Sequence, residues 1–281
     1  MRLARTRAEL VRALDEVRPG GRLALVPTMG SLHDGHLSLV DRALEVADTV
    51  AASVFVNPLQ FAPGEDFERY PRSEARDLTL LRDRGAHLAF VPAVEVIYPD
   101  GEPRVTVRPG PLADRLCGAV RPGHFEGVLT VVAKLFGLFR PDVAVFGAKD
   151  YQQAVLVRRM VLDLDLGVEI VMAPIVREPD GLAMSSRNAY LSATERAQAL
   201  GLSRALETVA RAFAAGERRA SALQATLRRE VSAHPGLALQ YAEIVDPATL
   251  EPVDPAPAGA VAAVAAHCGR TRLIDNRVLG A

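Results

Sequence analysis

The sequence predicts an α/β protein in which a parallel β-sheet forms the N-terminal part and a smaller α+β domain follows. Two observations favour this class. Up to residue 175, short apolar runs alternate with segments of helical periodicity, as in βαβ units, whose strands are parallel. From residue 176 onward, two helical segments precede three strand-like runs, a succession typical of an α+β domain. We therefore predict two domains, 1–175 and 176–281.

The individual elements follow in chain order. Thr6-Arg7-Ala8-Glu9 has the pattern of a capping box and predicts a first helix over 6–17. In the first domain, periodicity predicts strands over 22–27, 49–56, 87–91, 104–108, 142–146 and 168–172, and helices over 36–47, 73–84, 127–139 and 151–162. In the second domain it predicts helices over 193–215 and 221–233, and strands over 237–245, 260–267 and 272–278, with the Pro-rich stretch 247–257 as a loop.

Composition excludes several classes of partner. The formal net charge of the 281 residues is −1, and aromatic residues make up 5% with no Trp, so neither nucleic acid nor an acidic membrane surface is indicated. No apolar run reaches transmembrane length, and the N-terminus has no signal-type apolar core. The two cysteines, Cys117 and Cys268, are too few for a disulfide framework and fit a reducing compartment. We expect a cytoplasmic protein with small-molecule partners.

The most informative segment is PTMGSLHDGH, residues 27–36, which follows a buried-strand run and opens a helix. Its two histidines, His33 and His36, therefore stand at a helix N-terminus, where backbone N–H groups and the helix dipole favour an anion. Gly30 and Gly35 allow a ligand to approach the backbone closely. The arrangement predicts a nucleotide phosphate site at the carboxyl edge of the sheet. For this motif alone, two unrelated surface histidines in a turn remain the alternative.

Two more loops carry residue types that commonly bind phosphate. FGAKDYQQ, residues 146–153, follows a strand and contains Lys149, one of only two lysines among the 33 Lys and Arg residues. A compact ammonium suits a narrow phosphate site better than a planar guanidinium, although chance retention of a surface lysine is the alternative. Lys134, on a helix, is predicted to lie at the surface. A third loop, MSSR at 184–187, supplies two hydroxyls and a guanidinium.

Other polar residues are predicted either to lie at this edge of the sheet or to have a structural role. Asn57 and Gln60 follow the second strand and are expected at the same edge as the histidines. Arg121 and His124 lie in a Gly-Pro loop, where phosphate contact and a structural role are both open. The remaining histidines are predicted to be structural; they are His87, His234 and His267.

In combination, seven stretches resemble the pantothenate synthetase (pantoate–β-alanine ligase) family, within the HxGH nucleotidyltransferase group. They are PTMGSLHDGHLSLV at 27–40, VFVNPLQF at 54–61, YPR at 70–72, RPGHFEGVLTVVAKLF at 121–136, FGAKDYQQ at 146–153, DGLAMSSRNAYLS at 180–192 and TRLIDN at 271–276. The resemblance implies a Rossmann-like first domain that binds ATP and pantoate, with the second domain closing over the site. It also implies Mg²⁺ as cofactor, ATP and β-alanine as further substrates, and a homodimer.

The resemblance also implies a two-step reaction. The pantoate carboxylate attacks the α-phosphate of ATP to give pantoyl adenylate and pyrophosphate, and the amine of β-alanine then displaces AMP. His36 matches the family's catalytic position, Gln60 and Gln153 match its pantoate-binding glutamines, and Asp77 matches a magnesium-associated aspartate beside which Arg76 replaces an acidic residue. Ala148 stands where a glutamate is common. The positions matching the ATP site are Met29, Gly30, Ser31, Leu32, His33, Asp34, Gly35, His36, Gly147, Ala148, Lys149, Asp150, Val176, Met184, Ser185, Ser186 and Arg187.

Other functions remain as alternatives at this point. Another nucleotidyltransferase of the HxGH group would transfer a nucleotide to a phosphorylated acceptor and stop, but FGAKDYQQ and VNPLQF favour a pocket for a non-phosphorylated acid. A non-catalytic nucleotide-binding module would not need every phosphate ligand. A nucleic-acid-binding protein would need the basic balance and the aromatic platforms that this sequence lacks.

Overall fold

The computed structural model describes residues 1–18 and 20–280. Within these residues the strands are β1 Arg2–Ala4, β2 Leu23–Thr28, β3 Thr49–Val54, β4 Leu88–Phe90, β5 Val143–Gly147, β6 Glu169–Ala173, β7 Leu237–Val245, β8 Val261–Cys268 and β9 Thr271–Val278. The α-helices are α1 Arg7–Val17, α2 Asp34–Val46, α3 Glu74–Asp83, α4 Val94–Ile97, α5 Leu116–Val120, α6 His124–Phe139, α7 Tyr151–Asp163, α8 Ala193–Ala214 and α9 Ala220–Ser232. Short 3₁₀ turns cover Pro58–Gln60, Pro111–Ala113, Ala148–Asp150 and Ser186–Tyr190.

Strands β1 to β6 form one parallel sheet in the order β1-β4-β3-β2-β5-β6. From β2 the chain continues to β3 and β4 on one side of the sheet, and from β5 it continues to β6 on the other side. The strand order therefore reverses between the neighbours β2 and β5. In open α/β sheets, ligands bind beyond the carboxyl ends of the strands at such a reversal. The loops that follow β2 and β5 therefore lie side by side at the expected ligand edge.

Both faces of this sheet are covered, because the side chains of each strand alternate between them. In β2, Leu23 and Leu25 pack with α1, α6 and α7, whereas Ala24 and Val26 pack with α2 and α3. All four are fully buried. The continuous apolar run of β2 is thus the sequence signature of a strand inside a three-layer α/β sandwich, and the predicted parallel-sheet fold class is confirmed.

The second sheet is antiparallel, with the order β7-β8-β9, and packs against α8 and α9 over its own apolar core. Ser192 caps α8 in a capping box with Glu195, which fixes where that helix begins. Residues 247–257 connect β7 to β8 without helix or strand, as the prolines predict. The predicted helices and strands of this part are therefore confirmed to within a residue or two at their ends.

Local predictions fared unevenly in the first part. The capping box of α1 is present, with the Thr6 side chain accepting the Glu9 N–H. The strand predicted over 104–108 is wrong: the Val107 N–H donates to the Thr130 hydroxyl at 3.0 Å, and the Val105 side chain is 86% exposed. That alternation of valine with polar residues belongs to a loop that crosses α6. Strand β1 was not predicted, because only one of its three residues, Ala4, is buried.

Two smaller observations complete the fold. Among the described residues, none of the helices is both long and apolar enough to cross a membrane. His87 has a structural contact, in line with its prediction, since its Nδ1 accepts the Val50 N–H at 3.0 Å.

Candidate active site

One cleft at the β2–β5 edge brings together most of the predicted site residues. Its walls come from the loops after β2, β3 and β5, from α6, and from the segment 174–187 that leaves β6. The predicted residues that line it are Met29, His33, Gly35, His36, Gln60, Gly147, Lys149, Asp150, Gln153, Val176, Met184, Ser185, Ser186 and Arg187. Gly30, Ser31, Leu32, Asp34, Ala148 and Asp77 are predicted site residues outside this lining.

His33 and His36 stack against each other at the start of α2, with ring centroids 4.0 Å apart. The backbone N–H of His33 donates to Nδ1 of His36 at 3.4 Å, so the neutral His36 ring carries its proton on Nε2. Burial lowers the pKa of His36 to about 3 and that of His33 to about 4, and the Lys149 charge adds to both effects. Both rings are therefore neutral hydrogen-bonding groups at neutral pH.

The close packing of the histidines explains Gly35. A Cβ at this position would lie 2.9 Å from Cε1 and Nδ1 of the His33 ring and 3.3 Å from Cβ of Met184. Any larger side chain would displace His33 from the cleft. The glycine in the H-x-G-H motif is thus required by the histidine geometry in addition to ligand access.

The loop before α2 is held from below by two buried polar side chains. The Thr28 hydroxyl accepts the Gly30 N–H at 3.2 Å and donates to the Ser53 carbonyl at 2.7 Å. The Asp77 carboxylate accepts the N–H groups of Ser31 and Leu32, both at 2.8 Å. Burial raises the pKa of Asp77, and these two hydrogen bonds act in the opposite direction.

Asp77, the predicted magnesium-associated residue, is bonded to the protein backbone. Each of its two oxygens accepts a backbone N–H, and the residue is 1% exposed. In the described part of the chain, no group of three or more His, Cys, Asp or Glu side chains is arranged to hold a metal ion. A metal ion at this site would therefore take most of its ligands from water or from a bound phosphate.

Lys149 lines the same cleft as the histidines and lies on the 3₁₀ turn that follows β5. Its Nζ lies 3.6 Å from Oδ1 of Asp150, a loose contact that leaves the ammonium free for another anion. Desolvation in the cleft disfavours ionisation of Asp150, but the charges of Lys149 and Arg187 outweigh it and lower the pKa of that carboxyl. Lys134 instead lies over the Tyr98 ring at 5.5 Å, away from this lining, in agreement with its predicted surface role.

The glutamine pocket is the part of the cleft lined by Gln60 and Gln153. Gln60 is buried and ordered by Asn57, whose amide donates to Gln60 Oε1 at 3.1 Å and to the Gly127 carbonyl at 3.1 Å. Asn57 is itself held by the Tyr98 hydroxyl at 2.8 Å. Of the adjacent pair on α7, Gln152 bonds to the α5 region, for example to the Cys117 N–H at 2.9 Å, whereas Gln153 lines the cleft.

The serine loop reaches the cleft from the second part of the chain. The Ser186 hydroxyl donates to the Ser31 carbonyl at 3.1 Å, which joins this loop to the histidine loop. Arg187 forms a two-point ion pair with Asp66, with both N···O distances at 2.8 Å. The Ser185 hydroxyl accepts the Arg187 N–H at 3.3 Å and so caps the short 3₁₀ turn.

Sequence reasoning missed the acidic residues that hold the cleft arginines. Glu65 pairs with Arg121 at 2.6 Å, as Asp66 does with Arg187. Arg121 also contacts His124, and the other ring nitrogen of His124 lies 2.8 Å from the Gln60 carbonyl. These bonds give Arg121 and His124 a structural task beside their position in the lining. The sequence signal for these ion pairs was the consecutive acidic pair Glu65-Asp66 in a loop.

Comparison with known proteins agrees with this arrangement. The family model for pantoate-beta-alanine ligase matches residues 2–278. The chain belongs to the pantoate–β-alanine ligase family. It is 54% identical over 274 residues to pantothenate synthetase 1 of Bradyrhizobium diazoefficiens, covering 97% of this chain and 96% of that protein. It is 56% identical over 286 residues to a pantothenate synthetase of Nocardioides, covering 98% of this chain and 84% of that protein.

Solved structures of this family share the whole fold. The pantothenate synthetase of Thermus thermophilus superposes with a TM-score of 0.94 at 49% identity, over 99% of both chains. The pantoate–β-alanine ligase of Francisella tularensis, solved with β-γ ATP and β-alanine, gives 0.82 at 31% identity over 99% of this chain and 97% of that one. The family indicated by the sequence motifs is thereby confirmed, and with it the prediction of a ligase enzyme.

Proposed function

We propose that this ligase condenses (R)-pantoate with β-alanine in two steps within the cleft described above. First, a carboxylate oxygen of pantoate attacks the α-phosphorus of ATP, the bond to the β-phosphate breaks, and pyrophosphate leaves. Then the β-alanine nitrogen attacks the acyl carbon of pantoyl adenylate, loses a proton, and displaces AMP as the acyl C–O bond breaks. The observation that carries the proposal is that two groups of residues line one cleft. One group, which we call the phosphate wall, consists of His33, His36, Lys149, Ser185 and Ser186, and the other is the uncharged glutamine pocket.

The phosphate wall supplies positioned donors where negative charge develops. His33 and His36 are neutral at neutral pH and donate through ring N–H groups without repelling Lys149. Lys149 provides the single compact charge, and the loop with Ser185 and Ser186 closes the opposite side. Electrostatic stabilisation by such preorganised groups is the main protein contribution to phosphoryl chemistry. We assign His36 the catalytic position because its Nε2–H is the donor whose orientation a backbone hydrogen bond fixes.

The remaining ATP contacts follow from the same loops. We propose that Met29 to Gly35 cradle the nucleotide through the backbone at the start of α2, and that Gly147, Ala148 and Asp150 form the matching segment after β5. Val176 and Met184 line the cleft on the side of the second part of the chain. Arg187 joins them if a phosphate replaces Asp66 as its partner, since both are bidentate acceptors for a guanidinium.

The glutamine pocket suits pantoate. Gln60 and Gln153 offer amide donors and acceptors without fixed charge, which matches a substrate that carries hydroxyls as well as a carboxylate. Gln60 accepts a hydrogen bond from Asn57 and donates one N–H of its amide to the Met29 sulfur at 3.1 Å, so the remaining N–H points at a defined location. The resemblance to the family also places β-alanine near Gln60. This agrees with a second substrate that enters after pyrophosphate has left.

Magnesium enters, on this proposal, as part of the MgATP substrate. Mg²⁺ retains water and bridges phosphate oxygens with few protein ligands in many ATP sites. We assign Asp77 first to the loop before α2, because both of its oxygens accept backbone N–H groups there. Its contribution is to hold Ser31 and Leu32 in the conformation that presents the histidines.

We further propose the domain division 1–175 and 176–281, with the second domain closing over the nucleotide. The Ser186–Ser31 and Arg187–Asp66 contacts, which cross this boundary, support it. A homodimer follows from the family resemblance. A cytoplasmic location is supported by the two cysteines, Cys117 and Cys268, which remain unpaired and buried, as thiols do in a reducing compartment.

The decisive experiment measures AMP. Purified protein is supplied with ATP, Mg²⁺ and pantoate, and AMP is followed with and without β-alanine. We expect sustained AMP release only with β-alanine, with pantothenate formed in equal amount. A nucleotidyltransferase that stops after transfer gives no β-alanine-dependent AMP, and a binding module gives none at all. Lys149→Ala serves as the variant with a damaged phosphate wall.

A further inference from the structure

The motif TRLIDN, residues 271–276, lies outside the set of residues assigned to the two reaction steps. It forms most of β9, and its side chains alternate between two sides of the strand. Leu273 faces the core beneath α8 and α9. Ile274 packs against the core of the parallel sheet, and Arg272 donates to Sγ of Cys117 at 3.3 Å. Asn276 belongs to this second row, so β9 presents a row of side chains to the first part of the chain.

Asn276 reaches the turn that carries Lys149. Its side-chain amide donates to the carbonyls of Ala148 at 2.8 Å and Lys149 at 3.0 Å. The residue is 5% exposed, so water does not replace these bonds readily. Both carbonyls belong to the short 3₁₀ turn between β5 and α7. A single side chain therefore fixes the backbone on both sides of the Lys149 residue.

The strand that bears Asn276 is itself firmly anchored. Its neighbour Asp275 accepts two hydrogen bonds from Arg177, at 2.7 Å and 2.9 Å, and its side chain is 3% exposed. Asp275 also accepts the Asn276 N–H at 2.7 Å. Arg177 lies in the segment that leads to the serine loop, where it bridges to Ala183. Two consecutive residues of β9 thus hold the lysine turn and the approach to the serine loop.

We propose that Asn276 is a positioning residue that sets the location of the Lys149 ammonium for the attack on ATP. It lies outside the lining of the active-site cleft and acts through the backbone of the 148–149 turn. The inference rests on the role proposed above for Lys149. Because misplacement of a catalytic group by about 1 Å costs up to about 10²-fold in rate, loss of the two amide bonds should have a measurable effect on the first step.

The test is a double-mutant cycle on the adenylation step. Pyrophosphate release is measured in single turnover, without β-alanine, for the wild type, Asn276→Ala, Lys149→Ala and the double variant. We expect Asn276→Ala to slow the wild-type step by about 10-fold, with the KM for pantoate unchanged, and to slow Lys149→Ala by less than about 2-fold. Arg277→Ala, the next residue on β9, pairs with Glu207 at the surface and serves as the control, with wild-type rates.

The outcomes separate this inference from the proposal on which it rests. If Lys149→Ala is slow and Asn276→Ala slows the wild type and Lys149→Ala by the same factor, the positioning role of Asn276 is overturned. The proposed role of Lys149 then stands. Full activity of Lys149→Ala overturns the proposed role of Lys149 and the inference with it. Thermal melting verifies that each variant is folded. If Asn276→Ala does not fold, the cycle is repeated with Asn276→Gln, which retains the amide donors and should give a smaller loss that also disappears in the Lys149→Ala background.

Discussion

The stacked histidines give the stability of the fold a pH dependence of defined sign. Burial lowers the pKa of His36 to about 3, from its ordinary value of 6.5, and that of His33 to about 4. In the unfolded chain both pKa values return to about 6.5. Between the folded and unfolded values, the unfolded chain binds more protons than the folded chain. The free energy of unfolding therefore decreases as the pH falls below about 6.5.

The size of the effect at pH 5 follows for His36 from the unfolded pKa alone. Its unfolded form gains protonation free energy over about 1.5 pH units, from about 6.5 to 5, while the folded form gains almost none. At about 1.4 kcal/mol per unit, this lowers the free energy of unfolding by about 2 kcal/mol. Any folded pKa below about 4 gives the same loss at pH 5, and at pH 7.5 the contribution is close to zero.

Urea unfolding of the wild type and of His36→Asn at pH 7.5 and pH 5 measures this contribution. The Asn side chain retains an acceptor for the His33 N–H but does not titrate. We expect the decrease in unfolding free energy between the two pH values to be smaller by about 2 kcal/mol in the variant. Val40→Ala, on the same helix, loses stability without losing a titrating group and should retain the wild-type difference. Equal differences for wild type and His36→Asn would refute the argument that the folded protein holds His36 in its neutral form.

Three further predictions concern the cleft. Lys149→Ala should lose about 10²–10³-fold in rate through lost charge stabilisation, and Lys149→Arg should restore it only in part because the guanidinium fork differs in geometry; near-wild-type turnover of the Arg variant in a steady-state assay would contradict this. Gln60→Ala and Gln153→Ala should each weaken pantoate binding by about 0.5–1.5 kcal/mol per lost hydrogen bond with ATP binding retained, as calorimetric titration of each ligand will show; equal losses for both ligands would count against the assignment. ATP should slow hydrogen exchange of residues 184–188 further than the Ser186 and Arg187 contacts already do. The double variant Ser186→Ala with Arg187→Ala should lose much of this additional protection. No change in exchange on adding ATP to the wild type would exclude this loop from the nucleotide site.

The sequence predicted the sheet, its helices and most of the cleft because these depend on local signals. Apolar runs such as 23–26 determine a strand buried on both faces, and a glycine or an Asn-Pro pair determines where it ends. Polar residues immediately after a parallel strand are then placed at one edge of the sheet by the fold itself. For this reason His33, His36, Lys149 and Gln60 converge as expected.

The parts that sequence reasoning missed depend on contacts between distant segments. The strand order that makes β2 and β5 neighbours brings together segments that are far apart along the chain, and no local pattern encodes it. The ion pair of Asp66 with Arg187 and the bonds of Asn276 to the 148–149 turn are of the same kind. For Asp77 the family resemblance suggested a magnesium-associated carboxylate, and no sequence signal indicated that both of its oxygens accept backbone N–H groups.

The most direct test of the two-step account is to look for pantoyl adenylate itself. Enzyme at a concentration above that of ATP is mixed with MgATP and pantoate in the absence of β-alanine, quenched, and analysed by mass spectrometry together with a pyrophosphate assay. We expect pyrophosphate and pantoyl adenylate in equal amounts, approaching one per ATP supplied. When β-alanine is added, the adenylate should be converted to pantothenate and AMP. If neither pyrophosphate nor adenylate forms until β-alanine is present, the stepwise mechanism is contradicted.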